Sequence, residues 1–175
     1  LVIAANEATC LYVLPRVFSE YRKQFPKVQL QVDRSYGSRV VEAVVDNLAD
    51  FGITQLPVTD KKVQVVRIHA DEIRLIVPPN HPLADRTSVT AQELCNYNIL
   101  LPKYGTTRKR LTTWLEPVDE NLKISMELDS TEMIKQFCLA GLGAGFLAYT
   151  NCRADVEAGR LKALSLAPEP MMRRL

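Results

Sequence analysis

The chain has 175 residues, 47% of them hydrophobic and 24% charged, which is the balance of a water-soluble folded protein and excludes disorder. Lys plus Arg number 22 against 20 Asp plus Glu, a net charge of +2, too even for a dedicated nucleic-acid-binding domain. The longest apolar runs, such as Ile99-Leu100-Leu101, fall far short of the roughly 20 residues that a membrane-spanning helix needs.

The first residues, Leu1-Val2-Ile3-Ala4-Ala5-Asn6, lack the basic start and long apolar stretch of an export signal, and they lack an initiator Met. The chain therefore reads as a piece of a longer cytoplasmic protein. Cys10, Cys95, Cys138 and Cys152 stand far apart with no C-x-x-C pair, the pattern of reduced thiols, with no structural disulfide expected. The one dense basic cluster, residues 103–110, is too small to give tight DNA binding by itself.

In chain order, Val2-Ile3-Ala4-Ala5 reads as a short buried strand. Thr9 then opens a helix carrying Leu11, Leu14, Val17, Phe18 and Tyr21 on one face, stopped by Pro26. Residues 28–32 alternate apolar and polar, the period of a half-exposed strand. Ser38 is placed to cap a helix carrying Val40, Val41, Val44, Val45 and Leu48, and residues 50–54 return as a strand. Closely spaced strands follow at 63–68 and 73–77, then the loop Pro78-Pro79-Asn80-His81-Pro82.

Further on come a strand at 99–101, a helix at 107–115, a strand at 124–128 and a helix at 131–140. A strand over 146–149, a helix over 151–158 and a strand over 161–166 complete the pattern. Strands alternating with helices indicate an α/β fold with parallel sheets and right-handed crossovers. The rhythm runs twice, with a lobe boundary near Ala70. Two such Rossmann-like subdomains joined at a hinge imply an interdomain cleft at the carboxyl ends of the strands.

The candidate chemistry is a set of hydroxyls at helix starts: Thr9, Ser38, Thr106 with Thr107, and Ser130 with Thr131. A helix start offers free N–H groups and partial positive charge, suited to a small anion, although ordinary capping uses the same residues. Arg108 could add a charge-assisted bond, or be a solvated surface arginine. Gly141-Leu142-Gly143-Ala144-Gly145 has the composition of a phosphate loop, but it follows a helix and precedes a strand, the order of a tight helix-to-strand connection. His69 and His81 have no metal-type neighbours at useful spacing, and no nucleophile motif is present. Neither a metal, nor a cofactor, nor an enzymatic site is expected.

The landmarks Leu14-Pro15, Phe18-Ser19-Glu20-Tyr21-Arg22-Lys23-Gln24-Phe25-Pro26, Leu48-Ala49-Asp50-Phe51-Gly52-Ile53, Pro79-Asn80-His81-Pro82-Leu83 and Ala140-Gly141-Leu142-Gly143-Ala144-Gly145 occur in this order after the Leu1-Val2-Ile3-Ala4-Ala5 opening. Together they make the chain resemble the effector-binding domain of LysR-type transcriptional regulators over essentially all its length. The resemblance implies a type 2 periplasmic-binding-protein-like fold, with one subdomain formed by residues 1–70 plus 150–175 and the other by 71–149. It also implies an N-terminal winged helix-turn-helix outside this chain, and a further strand and helix after Leu175.

By position, the resemblance assigns a small, anionic effector to Asn6, Ala8, Thr9, Ser38, Thr54, Pro102, Thr106 and Thr107. Ala8 stands where the family commonly has Ser or Thr, which passes the hydrogen bond of that turn to Thr9. It also implies dimerisation, with Leu11, Leu14 and Phe18 of a helix against Val28, Leu30 and Val32 of a strand across a two-fold axis, and tetramers of the full-length protein. A solute-binding protein of a transport system shares the implied fold and is the alternative.

Overall fold

The computed structural model describes residues 1–175, which form two units: Leu1–Ala70 with Arg174–Leu175, and Asp71–Arg173. In the first unit, β1 (Val2–Ala5), α1 (Glu7–Tyr12), α2 (Leu14–Gln24), β2 (Gln31–Arg34), α3 (Gly37–Val45) and β3 (Phe51–Ile53) follow one another. The strands make a parallel sheet in the order β2-β1-β3. Because successive side chains of a strand point to opposite faces, Ile3 and Ala5 of β1 pack with Leu14, Phe18 and Leu30, while Val2 and Ala4 pack with Val40, Val44 and Ala49. The sheet thus lies between α1 and α2 on one face and α3 on the other.

Three details differ from the sequence reading. The single helix expected from Thr9 is two helices meeting at Val13, since Pro15 has no N–H to bond Leu11 one turn back. The strand expected at 28–32 begins at Gln31, in the register Val2↔Gln31, with only the Leu1 amine donating to the Gln29 carbonyl before it. Residues 63–68 form no strand: Val65, Val66 and Ile68 are exposed, and the segment finds backbone partners only at its end, where the N–H groups of Ile68 and His69 donate to the Leu175 carbonyl.

The second unit is built on β4 (Ala70–Val77, whose first residue belongs to the first unit), β5 (Ser88–Val89), β6 (Asn98–Pro102), α4 (Thr106–Leu115), β7 (Lys123–Leu128), α5 (Thr131–Leu139), β8 (Ala144–Ala148), α6 (Tyr149–Glu157), β9 (Lys162–Leu166) and β10 (Met171–Arg174, whose last residue belongs to the first unit). The sheet runs β5-β9-β4-β8-β6-β7, with β10 also paired to β4. It is mixed, not purely parallel, because β4 runs antiparallel to both β8 and β9. Residues 150–173, which the sequence reading placed with the first lobe, lie in this unit. The reason is the β4–β9 ladder, Arg74↔Ser165 to Val77↔Lys162, which ties β9 and the helix before it to the second sheet.

Both faces of this sheet are covered. Ile73, Leu75, Val77, Ile99, Leu101 and Phe146 pack with Leu111 and Leu115 of α4, and Ile76, Leu100 and Leu147 pack with Ile134 and Cys138 of α5 and Cys152 of α6. The lone Trp114 of α4 meets Phe146 edge-on at 6.2 Å, and its indole N–H donates to the Ala167 carbonyl at 2.9 Å.

The glycine-rich stretch is the α5-to-β8 connection. Gly141 takes φ +77°, and the N–H groups of Gly141 and Leu142 close on the carbonyls of Cys138 and Phe137, a left-handed helix stop that glycine makes without strain. Gly143 is required for a different reason: a Cβ there would sit 2.7 Å from the Asn98 carbonyl oxygen. Gly143→Ala should therefore push β8 away from β6 and destabilise the chain by about 1 to 3 kcal/mol, read as a lower urea midpoint. An unchanged midpoint would show that the backbone of Asn98 can retreat freely.

Candidate functional site

In a parallel sheet each crossover helix begins beyond the carboxyl end of the strand before it, so the helix starts of each unit gather along one sheet edge. In the first unit Ala5 is in register with Arg34 and with Ile53, which makes Asn6, Ser35 and Thr54 the next residues along that edge. Asn6 is the cap of α1: its side-chain oxygen accepts the Thr9 N–H at 2.9 Å. Thr9 itself is only 1% exposed and Ala8 is buried beside it, so their side chains face the interior of the unit. Glu7 and Arg34 pair across the edge at 3.3 Å.

Ser38 is not the cap of α3 but its second residue, exposed, with Tyr36 in the capping position. Tyr36 makes no side-chain cap bond, and the first turn carries no acidic residue. Thr54 lies against this helix start, its hydroxyl donating to the Gly37 carbonyl at 3.4 Å. The structure therefore brings Ser38 and Thr54 together, with Asn6 on the neighbouring strand end.

In the second unit three helices start at the carboxyl ends of β6, β7 and β8, and they differ in what fills their first turns. Ser130 caps α5, accepting the Met133 N–H at 3.2 Å. The first turn of α6 is held by β4, which begins at this edge because it runs antiparallel: Asp71 Oδ2 accepts the Thr150 N–H at 3.2 Å, and the Arg74 guanidinium stacks 4.3 Å from the Tyr149 ring centre. By contrast α4 begins after Gly105 (φ +96°), with no side-chain cap bond and no acid in its first turn. Thr106 is exposed and Thr107 half-buried at this start.

Arg108 is already engaged. It pairs with Glu127 of β7 and donates to the Pro102 carbonyl at 3.0 Å, which ties the ends of β6 and β7 to α4. Its charge thus serves the sheet edge that presents Thr106 and Thr107. Buried Asp71 and Arg173 carry no helix-start signal in the sequence, and Asn151, the first residue of the helix expected over 151–158, is buried inside α6.

Of the six residues proposed for self-association, Leu14 is 2% exposed and belongs to the first unit's core, with Phe18 and Leu30 packed against it. Leu11 and Val32 are exposed, Val28 is half-buried, and β2 forms one edge of its sheet with all four residues exposed. No group of His, Cys, Asp and Glu side chains is arranged to hold a metal ion, and no helix is long and apolar enough to cross a membrane.

Comparison with known proteins gives this geometry its family. The model of the LysR substrate binding domain matches residues 1–175. The "Probable RuBisCO transcriptional regulator" of Synechocystis sp. is 31% identical over 175 residues, covering 96% of this chain and 50% of that protein. The HTH-type transcriptional regulator YwqM of Bacillus subtilis is 30% identical over 174 residues, covering 94% of this chain and 57% of that one. Among solved structures, the regulatory domain of Synechocystis CcmR in complex with 2-PG superposes with a TM-score of 0.81 at 20% identity, over 99% of this chain and 84% of that one. The cofactor-binding domain of the Cbl regulator does so with a TM-score of 0.81 at 22% identity, over 99% and 77%.

The fold is thus that of LysR effector-binding domains, which are type 2 periplasmic-binding-protein-like. The chain belongs to the LysR substrate-binding domain family, and it spans about half the length of the curated relatives it matches.

The cysteines divide by burial. The thiols of Cys138 and Cys152 are pushed up to about 12, chiefly by burial, and the Cys138 thiol donates to the Ile76 carbonyl at 3.3 Å. At pH 8 about one in ten thousand of such thiols is ionised, and the thiolate is the reactive form. Cys10 and Cys95 are half-buried. In the folded chain Cys10 and Cys95 should react with an aromatic disulfide reagent well before Cys138 and Cys152, and all four should react at once in denaturant. Rapid labelling of Cys138 in the native state would contradict this burial.

Proposed function

We propose that this chain is the ligand-sensing regulatory domain of a LysR-type, DNA-binding transcriptional regulator, and that its effector is a small anion such as a carboxylate. The observation that carries the reading is the family match over the whole chain. The relatives' names, transcriptional regulators of RuBisCO or of HTH type, support it over a transport function. In this reading promoter DNA is contacted by a winged helix-turn-helix outside these residues. The protein works in the cytoplasm, and no chemical step is catalysed.

The anionic character rests on the helix starts. An unfilled helix start carries free N–H groups and partial positive charge, and α3 and α4, of nine and ten residues, have neither a side-chain cap bond nor an acid in the first turn. Ser38 and Thr54 at α3, with Asn6 beside them, and Thr106 and Thr107 at α4 are the proposed effector contacts. Thr9, Ala8, Pro102 and Arg108 support them, the first two by packing and the last two by joining the β6 end to α4.

Self-association is proposed through the exposed members of the helix–strand pair, Leu11 and Val32, along the free edge of β2. Leu14, Phe18, Val28 and Leu30 back that surface, and the full-length protein is proposed to form tetramers through further contacts.

A ligand that binds only the folded state raises its stability, by about 2.7 kcal/mol at one hundred times its dissociation constant. A thermal-shift series of carboxylates, phosphorylated acids and sulfur oxyanions, with 2-PG included because a structural neighbour binds it, should contain a stabilising anion. With that anion, Ser38→Ala and Thr107→Ala should each weaken binding severalfold to about a hundredfold, from a hydrogen bond worth about 0.5 to 3 kcal/mol according to its charge. Thr9→Ala should instead lower stability. Unchanged calorimetric affinity in both Ser38→Ala and Thr107→Ala would remove the helix starts from the site.

A further inference from the structure

The chain passes between its units twice, from Ala70 to Asp71 and from Arg173 to Arg174. The two residues on the second unit's side of these crossings are each other's ion partners. Arg173 Nη2 lies 3.6 Å from Asp71 Oδ2, with side chains only 7% and 6% exposed. Asp71 is further held by the N–H groups of Glu72 at 2.8 Å and Thr150 at 3.2 Å. The Nε of Arg173 is buried without a partner.

Stability alone does not account for such a pair, since apolar side chains of similar volume at a buried site are commonly as stable. What a buried ion pair adds is direction. The strands concerned, β4 and β10, are paired through their backbones, and a one-residue slip of β10 would turn Arg173 to the opposite face of the sheet, leaving two buried charges uncompensated.

We propose that Asp71 and Arg173 form a clasp that locks the register of the two connecting strands, so that both connections between the units behave as one. Directly outside the clasp, the N–H groups of Ile68 and His69 donate to the Leu175 carbonyl, and the Leu175 N–H donates to the His69 carbonyl. These bonds join the same two connections and open first when the clasp is broken.

The test is amide hydrogen exchange on the whole chain, comparing the parent with Asp71→Asn, Arg173→Met and the double variant Asp71→Leu with Arg173→Met. The double variant keeps the site filled and removes the direction, so it stands in where a single variant fails to fold. The expected result is at least tenfold faster exchange at Ile68, His69 and Leu175 in every folded variant, with Leu75 and Leu100 of the sheet core unchanged, which separates local opening from global loss of stability. Parent-like exchange at Ile68 and Leu175 in the double variant would overturn the proposal, because filling the site would then suffice. Failure of the double variant to fold would also overturn it, by making the pair a requirement of the fold.

Discussion

Parallel strands cannot be joined by a tight turn, and each needs a crossover that carries the chain back along the sheet. That constraint organises both units. It sends the helix starts of the first unit to the edge marked by Asn6, Ser35 and Thr54, and those of the second to the edge beyond Pro102, Leu128 and Ala148. Helix starts bring unpaired N–H groups with them, so each edge carries positive potential before any charged side chain is counted. The sequence then decides which starts stay open. Asn6, Ser130 and Asp71 close three of them, and glycine or tyrosine in the capping position leaves α3 and α4 open.

The antiparallel course of β4 adds to this arrangement. A parallel β4 would begin at the far edge of its sheet; running the other way, it delivers Asp71 to the start of α6 and sets Arg74 on Tyr149. One strand reversal therefore both fastens α6 and places an acid where β10 can meet it with Arg173.

How much of this could be read from the sequence depended on how local the cause was. The short apolar strand Val2-Ile3-Ala4-Ala5, the helix expected at 131–140 and the tight glycine-rich connection after it follow from local composition, side-chain period and backbone freedom, and the structure has them within a residue or so. The start of α3 is marked in the sequence by Ser38, although the serine sits two residues past the cap and does not fill it. What escaped had non-local causes. Residues 63–68 have strand-forming composition but no partner in the sheet, and the place of 150–173 depends on a ladder between residues some ninety positions apart, Arg74↔Ser165. Thr9 and Leu14 show the same limit, because a hydroxyl at a helix start and a leucine on a helix face look alike whether they point outward or inward.

The lone tryptophan gives the molecule an optical asymmetry. Trp114 is anchored by its N–H to Ala167 and set edge-on to Phe146, all within Asp71–Arg173. The first unit contains only tyrosine and phenylalanine as aromatic chromophores. Indole emission therefore watches one half of the polypeptide, so a denaturation followed by fluorescence and one followed by far-ultraviolet dichroism sample different populations of residues. Coincident curves would mean that the halves melt as one cooperative block, and separated curves would give each half its own melting point.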